Sequence, residues 1–164
     1  LGVGSGRLGI GCAFLDASFV LGVDIDPDAL AQCATNCANL REEESGDSTL
    51  LSNFDLLCGD VCDDALWSRF VGGTFQVVVM NPPFGTKNNK GIDMVFLKRA
   101  IDIATESVYS LHKSSTREYV MKKAAEWGVK AQVLAQLRYD LPKAYKFHKK
   151  ESKDIEVDFY RFHK

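Results

Sequence analysis

Apolar and polar positions along the 164-residue chain switch between two patterns, short apolar runs that suit buried strands and 3.6-residue spacings that suit helices. Ile10 to Phe14 reads as helical, and Val20-Leu21-Gly22-Val23-Asp24 as a strand ending in a carboxylate. Pro27, at a first-turn position, opens a helix through Ala29, Leu30, Cys33, Ala34 and Cys37, which runs into an exposed acidic loop from Arg41 to Ser52. Phe54 to Gly59 predicts a strand. Leu66, Trp67 and Phe70 predict a short helix, and Val77-Val78-Val79-Met80 a buried strand after the Gly72-Gly73 break.

Beyond Gly91-Ile92-Asp93 the chain reads as a helix with Val95, Phe96, Ala100, Ile103 and Ala104 on its buried face. Val108-Tyr109-Ser110-Leu111 is the next expected strand, and Ser115-Thr116-Arg117-Glu118 has the capping-box pattern of a helix ending near Gly128. Val129 to Leu137 and Ile155 to Phe159 both read as strands, the second with clean in/out alternation, and no helical segment separates them. They are expected to pair as an antiparallel edge hairpin. Strand and helix otherwise alternate, which implies an α/β fold with a mostly parallel sheet in a single domain, residues 1–164.

The opening Leu1-Gly2-Val3-Gly4-Ser5-Gly6-Arg7-Leu8-Gly9 adds chemistry to this scaffold. Glycines let a backbone turn tightly against a ligand, and the helix N-terminus behind them presents free N–H groups. Asp24, about twenty residues on, can accept hydrogen bonds from both hydroxyls of a ribose. The pair describes a nucleoside-binding unit, although Gly4-Ser5-Gly6-Arg7-Leu8-Gly9 also fits the dinucleotide fingerprint G-x-G-x-x-G. Asp60, after the next strand, can accept the exocyclic amine of an adenine, with Val61 packed on its ring; the simpler use of Asp60 is as a helix N-cap, a duty Asp63 or Asp64 can share.

Asn81-Pro82-Pro83-Phe84 follows a buried strand and is the most informative stretch. A side-chain amide beside a rigid Pro-Pro backbone offers one donor and two acceptors in fixed geometry, and Phe84 supplies a ring for stacking. The tetrapeptide suits a planar NH2 group, such as an adenine amine or a primary amide. The plain alternative is a strand that ends at prolines.

Charge and cysteine content narrow the picture. A net charge of −2 leaves any polyanion to be held by a local patch. That patch is offered by Lys143, Lys146, His148, Lys149, Lys150 and Lys153, interleaved with Tyr145 and Phe147, and by Lys87 in the polar loop after Phe84; the plain alternatives are a solvated hairpin loop whose two aromatics fold back onto the core and, around Lys87, a flexible surface connection. Five cysteines form an odd set without C-x-x-C or zinc-type spacing, so no metal is expected and the thiols read as reduced and intracellular, with Cys33 and Cys37 packing on one helix. No apolar run is long enough to span a bilayer. His112 and Lys113 stand at a strand end and are assigned no catalytic role.

The order of these features resembles S-adenosylmethionine-dependent methyltransferases of the Rossmann-like class that act on amino groups. The stretches Asn81 to Gly91, Tyr109 to Glu118 and Leu137 to Asp158 are similar to the methyltransferase-like 5 family, which makes N6-methyladenosine in 18S, small-subunit ribosomal RNA. The resemblance implies a class I methyltransferase fold: a mostly parallel seven-stranded sheet with helices on both faces and a C-terminal antiparallel hairpin. The Gly-rich turn opens the chain with no strand ahead of it, so N-terminal truncation or disorder at the start is expected, with the first strand largely missing. The resemblance further implies S-adenosyl-L-methionine held by Gly2, Gly4, Ser5, Gly6, Arg7, Asp24, Asp60 and Val61, with Asn81, Pro82, Pro83 and Phe84 holding the adenine. Ribosomal RNA, a small zinc-binding methyltransferase activator subunit in a heterodimer, and residence in the nucleus, nucleolus and cytoplasm follow from it too. Val3 and Ser5 stand where the family usually has Cys, and Arg41 to Phe54 is longer than expected.

Other readings stay open on sequence. A protein glutamine N5-methyltransferase uses the same Asn-Pro-Pro loop, more usually with Tyr in place of Phe84. A nicotinamide-dependent dehydrogenase leaves Asp60 and Asn81 to Phe84 unexplained, and a non-catalytic RNA-binding module needs no methyl donor.

Overall fold

A computed structural model describes residues 1–43, 51–70, 72–84, 91–139 and 155–164. Among them α1 (Arg7–Phe14), β1 (Val20–Asp24), α2 (Pro27–Glu43), β2 (Phe54–Cys58), α3 (Asp64–Trp67), β3 (Phe75–Met80), α4 (Ile92–Ile103), β4 (Ala104–Lys113), α5 (Arg117–Glu126), β5 (Lys130–Tyr139) and β6 (Ile155–His163) follow in order. The α2 crossover makes β1 and β2 parallel neighbours with Asp24 opposite Cys58, and the α4 crossover does the same for β3 and β4, with Met80 opposite Ser110. The expected hairpin forms. β6 lies antiparallel between β4 and β5, which leaves β5 on the edge in the order β3-β4-β6-β5.

The two hydrogen-bonded groups of strands meet at the start of the chain. The Val3 amide donates to the Val23 carbonyl at 2.9 Å, and the Leu1 nitrogen donates to the Val79 carbonyl at 3.0 Å. Residues 1–3 therefore tie β1 to β3. Beside them a cavity of about 560 Å³ is lined by Leu21 and Val23 of β1 and by Val77 and Val79 of β3. Among the described residues, β1 and β3 each keep one edge with no strand partner.

Apolar side chains sort into two clusters because successive strand residues point to opposite faces. Val20, Phe54 and Leu56 pack with Cys33, Cys37 and Ile10 of the α1/α2 layer, whereas Val23 and Leu57 pack with Trp67, Met80, Leu97, Ala100, Val108, Val120 and Tyr160. Cys33 and Cys37 are thus core residues of α2, and burial pushes the Cys33 thiol up to about 11.

Several expectations needed correction. The helix from Pro27 continues through Arg41 and Glu42 to Glu43, and Leu51 of the expected exposed loop is buried, its carbonyl accepting from Arg41 Nη2 at 2.6 Å. Ala104 begins β4 and does not extend α4, so that strand starts four residues earlier than its apolar run suggests. The capping box does not form: residues Ser114–Thr116 make a 3₁₀ turn, and the Thr116 hydroxyl turns back to the Lys113 carbonyl at 2.8 Å. The alternation of β6 also breaks, since Val157 and Asp158 are both buried. Asp158 lies inside because Arg117, Ser114 and Tyr160 all donate to its carboxylate, at 2.7, 2.7 and 3.1 Å. Their hydrogen bonds replace water for a charge that is costly to bury unpaired.

Candidate active site

Three loops leave the C-terminal ends of β1, β2 and β3, the side on which parallel α/β sheets take their ligands. The glycine turn before α1 is folded onto the first of these ends. Gly4 and Gly6 have φ of +52° and +92°, a region L side chains rarely adopt, and the Gly4 amide donates to Asp24 Oδ2 at 2.8 Å. The other Asp24 oxygen accepts from the Asp26 amide at 3.1 Å. The Ser5 carbonyl is held by Asn36 Nδ2 of α2 at 2.8 Å, while Arg7 is exposed as the first residue of α1.

Asp60 stands beside this turn because the Gly59 amide donates to the Asp24 carbonyl at 2.9 Å. Capping of α3 falls to Asp63, whose carboxylate accepts from the Ala65 amide at 2.9 Å. Asp60 is left exposed, with Oδ1 on the Cys62 amide at 2.8 Å and its carbonyl fixed by the Trp67 indole N–H at 2.9 Å. Val61 is 3% exposed, packed in the core behind Asp60, with little surface left for a ring.

Asn81 follows Met80 directly at the end of β3. It is exposed, Pro82 is buried, Pro83 is exposed and Phe84 is half-buried. Among the described residues the Asn81 side chain makes no hydrogen bond, so its amide keeps both donor and acceptor capacity for a ligand. The Leu1 bond to Val79 places the glycine turn next to the strand that carries Asn81. Asp24, Asp60 and Asn81 thus share one end of the fold. Lys87, Lys143, Lys146, Lys149 and Lys150 lie outside the described residues.

A polar network was missed by sequence reasoning. His112 is 0% exposed, with Nε2 2.9 Å from Ser110 Oγ and Nδ1 3.3 Å from Asp93 Oδ2; this hydrogen bond holds the Asp93 carboxyl below the usual carboxylate range. The signal was polar residues at inward positions of β4, where Val108, Ser110 and His112 alternate.

No family model matches the chain. The zebrafish (Danio rerio) rRNA N(6)-adenosine-methyltransferase METTL5 is 53% identical over 162 residues, covering 99% of this chain and 72% of its own. The Drosophila melanogaster rRNA N(6)-adenosine-methyltransferase Mettl5 is 44% identical, with 99% and 71% covered. A solved Pyrococcus horikoshii structure, described as a candidate RNA methyltransferase, superposes with a TM-score of 0.76 at 30% identity over 99% of this chain and 72% of its own. With the glycine turn, the two aspartates and the Asn-Pro-Pro-Phe loop gathered at one end of an α/β fold, this chain belongs to the METTL5 family of rRNA N6-adenosine-methyltransferases.

Proposed function

We propose that this chain transfers a methyl group from S-adenosyl-L-methionine to N6 of an adenosine in 18S ribosomal RNA, forming N6-methyladenosine. The observation that carries the reading is Asn81: an exposed amide with no hydrogen bond among the described residues, placed between the end of β3, where Met80 is buried, and the half-buried ring of Phe84. The donor set fits the cofactor. Gly2, Gly4, Ser5, Gly6 and Arg7 form a backbone cradle, Asp24 faces a ribose, and Asp60 faces an adenine amine with Val61 behind it. When bound, the sulfonium supplies an electrophilic methyl group.

The residues of the chain act on the acceptor. An adenine N6 is a weak nucleophile because its lone pair is delocalised into the ring. The Asn81 side-chain oxygen and the Pro82 carbonyl accept its two protons, which favours a more tetrahedral nitrogen as the new bond forms. Pro82 and Pro83 fix the backbone of that acceptor pair, and Phe84 sets the approach line by stacking, so positioning supplies much of the rate.

The same reading extends to features beyond this geometry. The space between β1 and β3 takes a central seventh strand; it is bordered by one open edge of each and already crossed by Leu1 to Val3. Lys87, Lys143, Lys146, Lys149 and Lys150 hold RNA phosphates. A small zinc-binding methyltransferase activator subunit completes a heterodimer, and β2 and β5 each offer an edge without a strand partner among the described residues. Residence in the nucleus, nucleolus and cytoplasm goes with ribosomal RNA as substrate. No described helix is long and apolar enough to cross a membrane.

The experiment combines the intact protein and its activator with radiolabelled S-adenosylmethionine, ribosomal RNA and protein fractions, followed by hydrolysis and identification of the labelled product. Label in N6-methyladenosine supports the proposal. Label in methylglutamine replaces it with protein modification, and failure to bind S-adenosylmethionine in calorimetry replaces it with a non-catalytic RNA-binding role.

A further inference from the structure

β4 runs past the end of β3. The last paired residues of these parallel strands are Met80 and Ser110; beyond them β3 gives way to Asn81 to Phe84 while β4 continues through Leu111, His112 and Lys113. Successive side chains on a strand point to opposite faces. His112 takes the inner face, bonded to Ser110 and to Asp93 in the first turn of α4, with its ring edge-on to Tyr160 and Phe162. Lys113 takes the other, and its Nζ lies over the Phe84 ring, 5.8 Å from the centroid, within cation–π range. Its backbone is held twice, by pairing with Val157 of β6 and by the Thr116 hydroxyl on its carbonyl.

We propose that Lys113 is a positioning residue of the methyl transfer: its ammonium fixes one face of the Phe84 ring so that the opposite face meets the planar group whose amine is methylated. This rests on the reading of Phe84 as a stacking platform. A half-buried ring held only by packing samples several rotamers, and a reacting group must be held within about half an ångström of its productive position. A cation seated on one ring face narrows that choice without touching the substrate. The His112–Asp93 contact one residue earlier ties the strand end, and with it the cation, to α4.

The test compares wild type with Lys113→Met, which keeps an unbranched stem and loses the charge, and Lys113→Arg, which keeps the charge and can still stack on the ring. It measures kcat and KM for ribosomal RNA, S-adenosylmethionine affinity by calorimetry, and the Phe84 ring resonance in 13C-phenylalanine-labelled protein, assigned with Phe84→Leu. Lys113→Met is expected to lower kcat about fivefold with cofactor affinity unchanged and the Phe84 resonance displaced, and Lys113→Arg to stay within about twofold of wild type. Wild-type kcat in Lys113→Met overturns the proposal, as does a rise in RNA KM alone, which makes the ammonium a phosphate contact. An unmoved Phe84 resonance overturns it as well. Should wild type leave RNA unlabelled, the functional reading fails and the positioning role with it, while the Phe84 resonance still shows separately whether the Lys113 ammonium holds the ring.

Discussion

The Gly4 amide donates to Asp24 Oδ2 at 2.8 Å, so the carboxylate at the end of β1 is what closes the glycine turn over it. One residue therefore shapes the cradle and faces the ribose. Asp24→Ala removes both roles and is expected to weaken S-adenosylmethionine binding by at least about tenfold, the scale of one charge-assisted hydrogen bond. Asp24→Asn, which still offers an acceptor to Gly4, falls between. Titration calorimetry checks this, and unchanged affinity in Asp24→Ala would remove Asp24 from the cofactor site.

The turn itself separates two glycines. At Gly4 an added Cβ meets nothing within 4 Å, so Gly4→Ala carries only the cost of its positive φ, about 1–2 kcal/mol. At Gly6 the Cβ would stand 2.5 Å from Cys33 Sγ in the core of α2 as well, so Gly6→Ala is expected to lose more, about 2–4 kcal/mol. Denaturant melts of the two variants give the order directly. Equal losses would mean that the Cys33 contact relaxes freely.

Asn81→Ala is expected to reduce kcat by about 10²–10³, the usual effect of deleting one preorganised polar group at a reacting centre, with cofactor affinity unchanged. Phe84→Ala should act on both constants, lowering kcat through lost positioning and raising KM for RNA about tenfold through lost stacking. Steady-state kinetics separate the two. A parallel loss of cofactor binding in Asn81→Ala would count against its place on the acceptor.

Arg117 and Asp158 make the fold acid-sensitive. The Arg117 hydrogen bonds are the main cause holding the buried Asp158 carboxyl below the usual carboxylate range. A carboxyl with a lowered folded value stabilises the protein above its unfolded value, roughly pH 4, and that contribution is lost as pH falls through the folded value. Arg117→Gln should therefore lower Tm most at neutral pH, with the gap to wild type closing only as pH falls below the unfolded value. A gap independent of pH would mean that Arg117 acts through packing alone.

The elements that sequence placed well are those whose apolar pattern answers to one neighbour. β1, β2 and β3 are short apolar runs ended by Asp24, Gly59 and Asn81, and the chemistry of those ends is local: a carboxylate after a strand or an amide before two prolines can be read without knowing what packs nearby. Asp60 was legible as an acceptor, but only the fold showed that Asp63 takes the capping duty and leaves Asp60 exposed.

What sequence could not decide depends on residues far apart in the chain. Asp158 reads as a solvent-facing position of an alternating strand until Arg117 and Ser114, 41 and 44 residues away, arrive to satisfy it. His112 reads as a strand-end residue until Asp93 and Tyr160 enclose it, and Lys113 gains a role only because β4 outruns β3 and brings its ammonium over Phe84. The sequence by itself determined the alternation of strands and helices, the glycine turn and the Asn-Pro-Pro-Phe loop, because short-range spacing and backbone sterics suffice for each. Only the tertiary structure decided which polar groups are buried and which are presented, because a buried charge is tolerated only where distant partners replace its water.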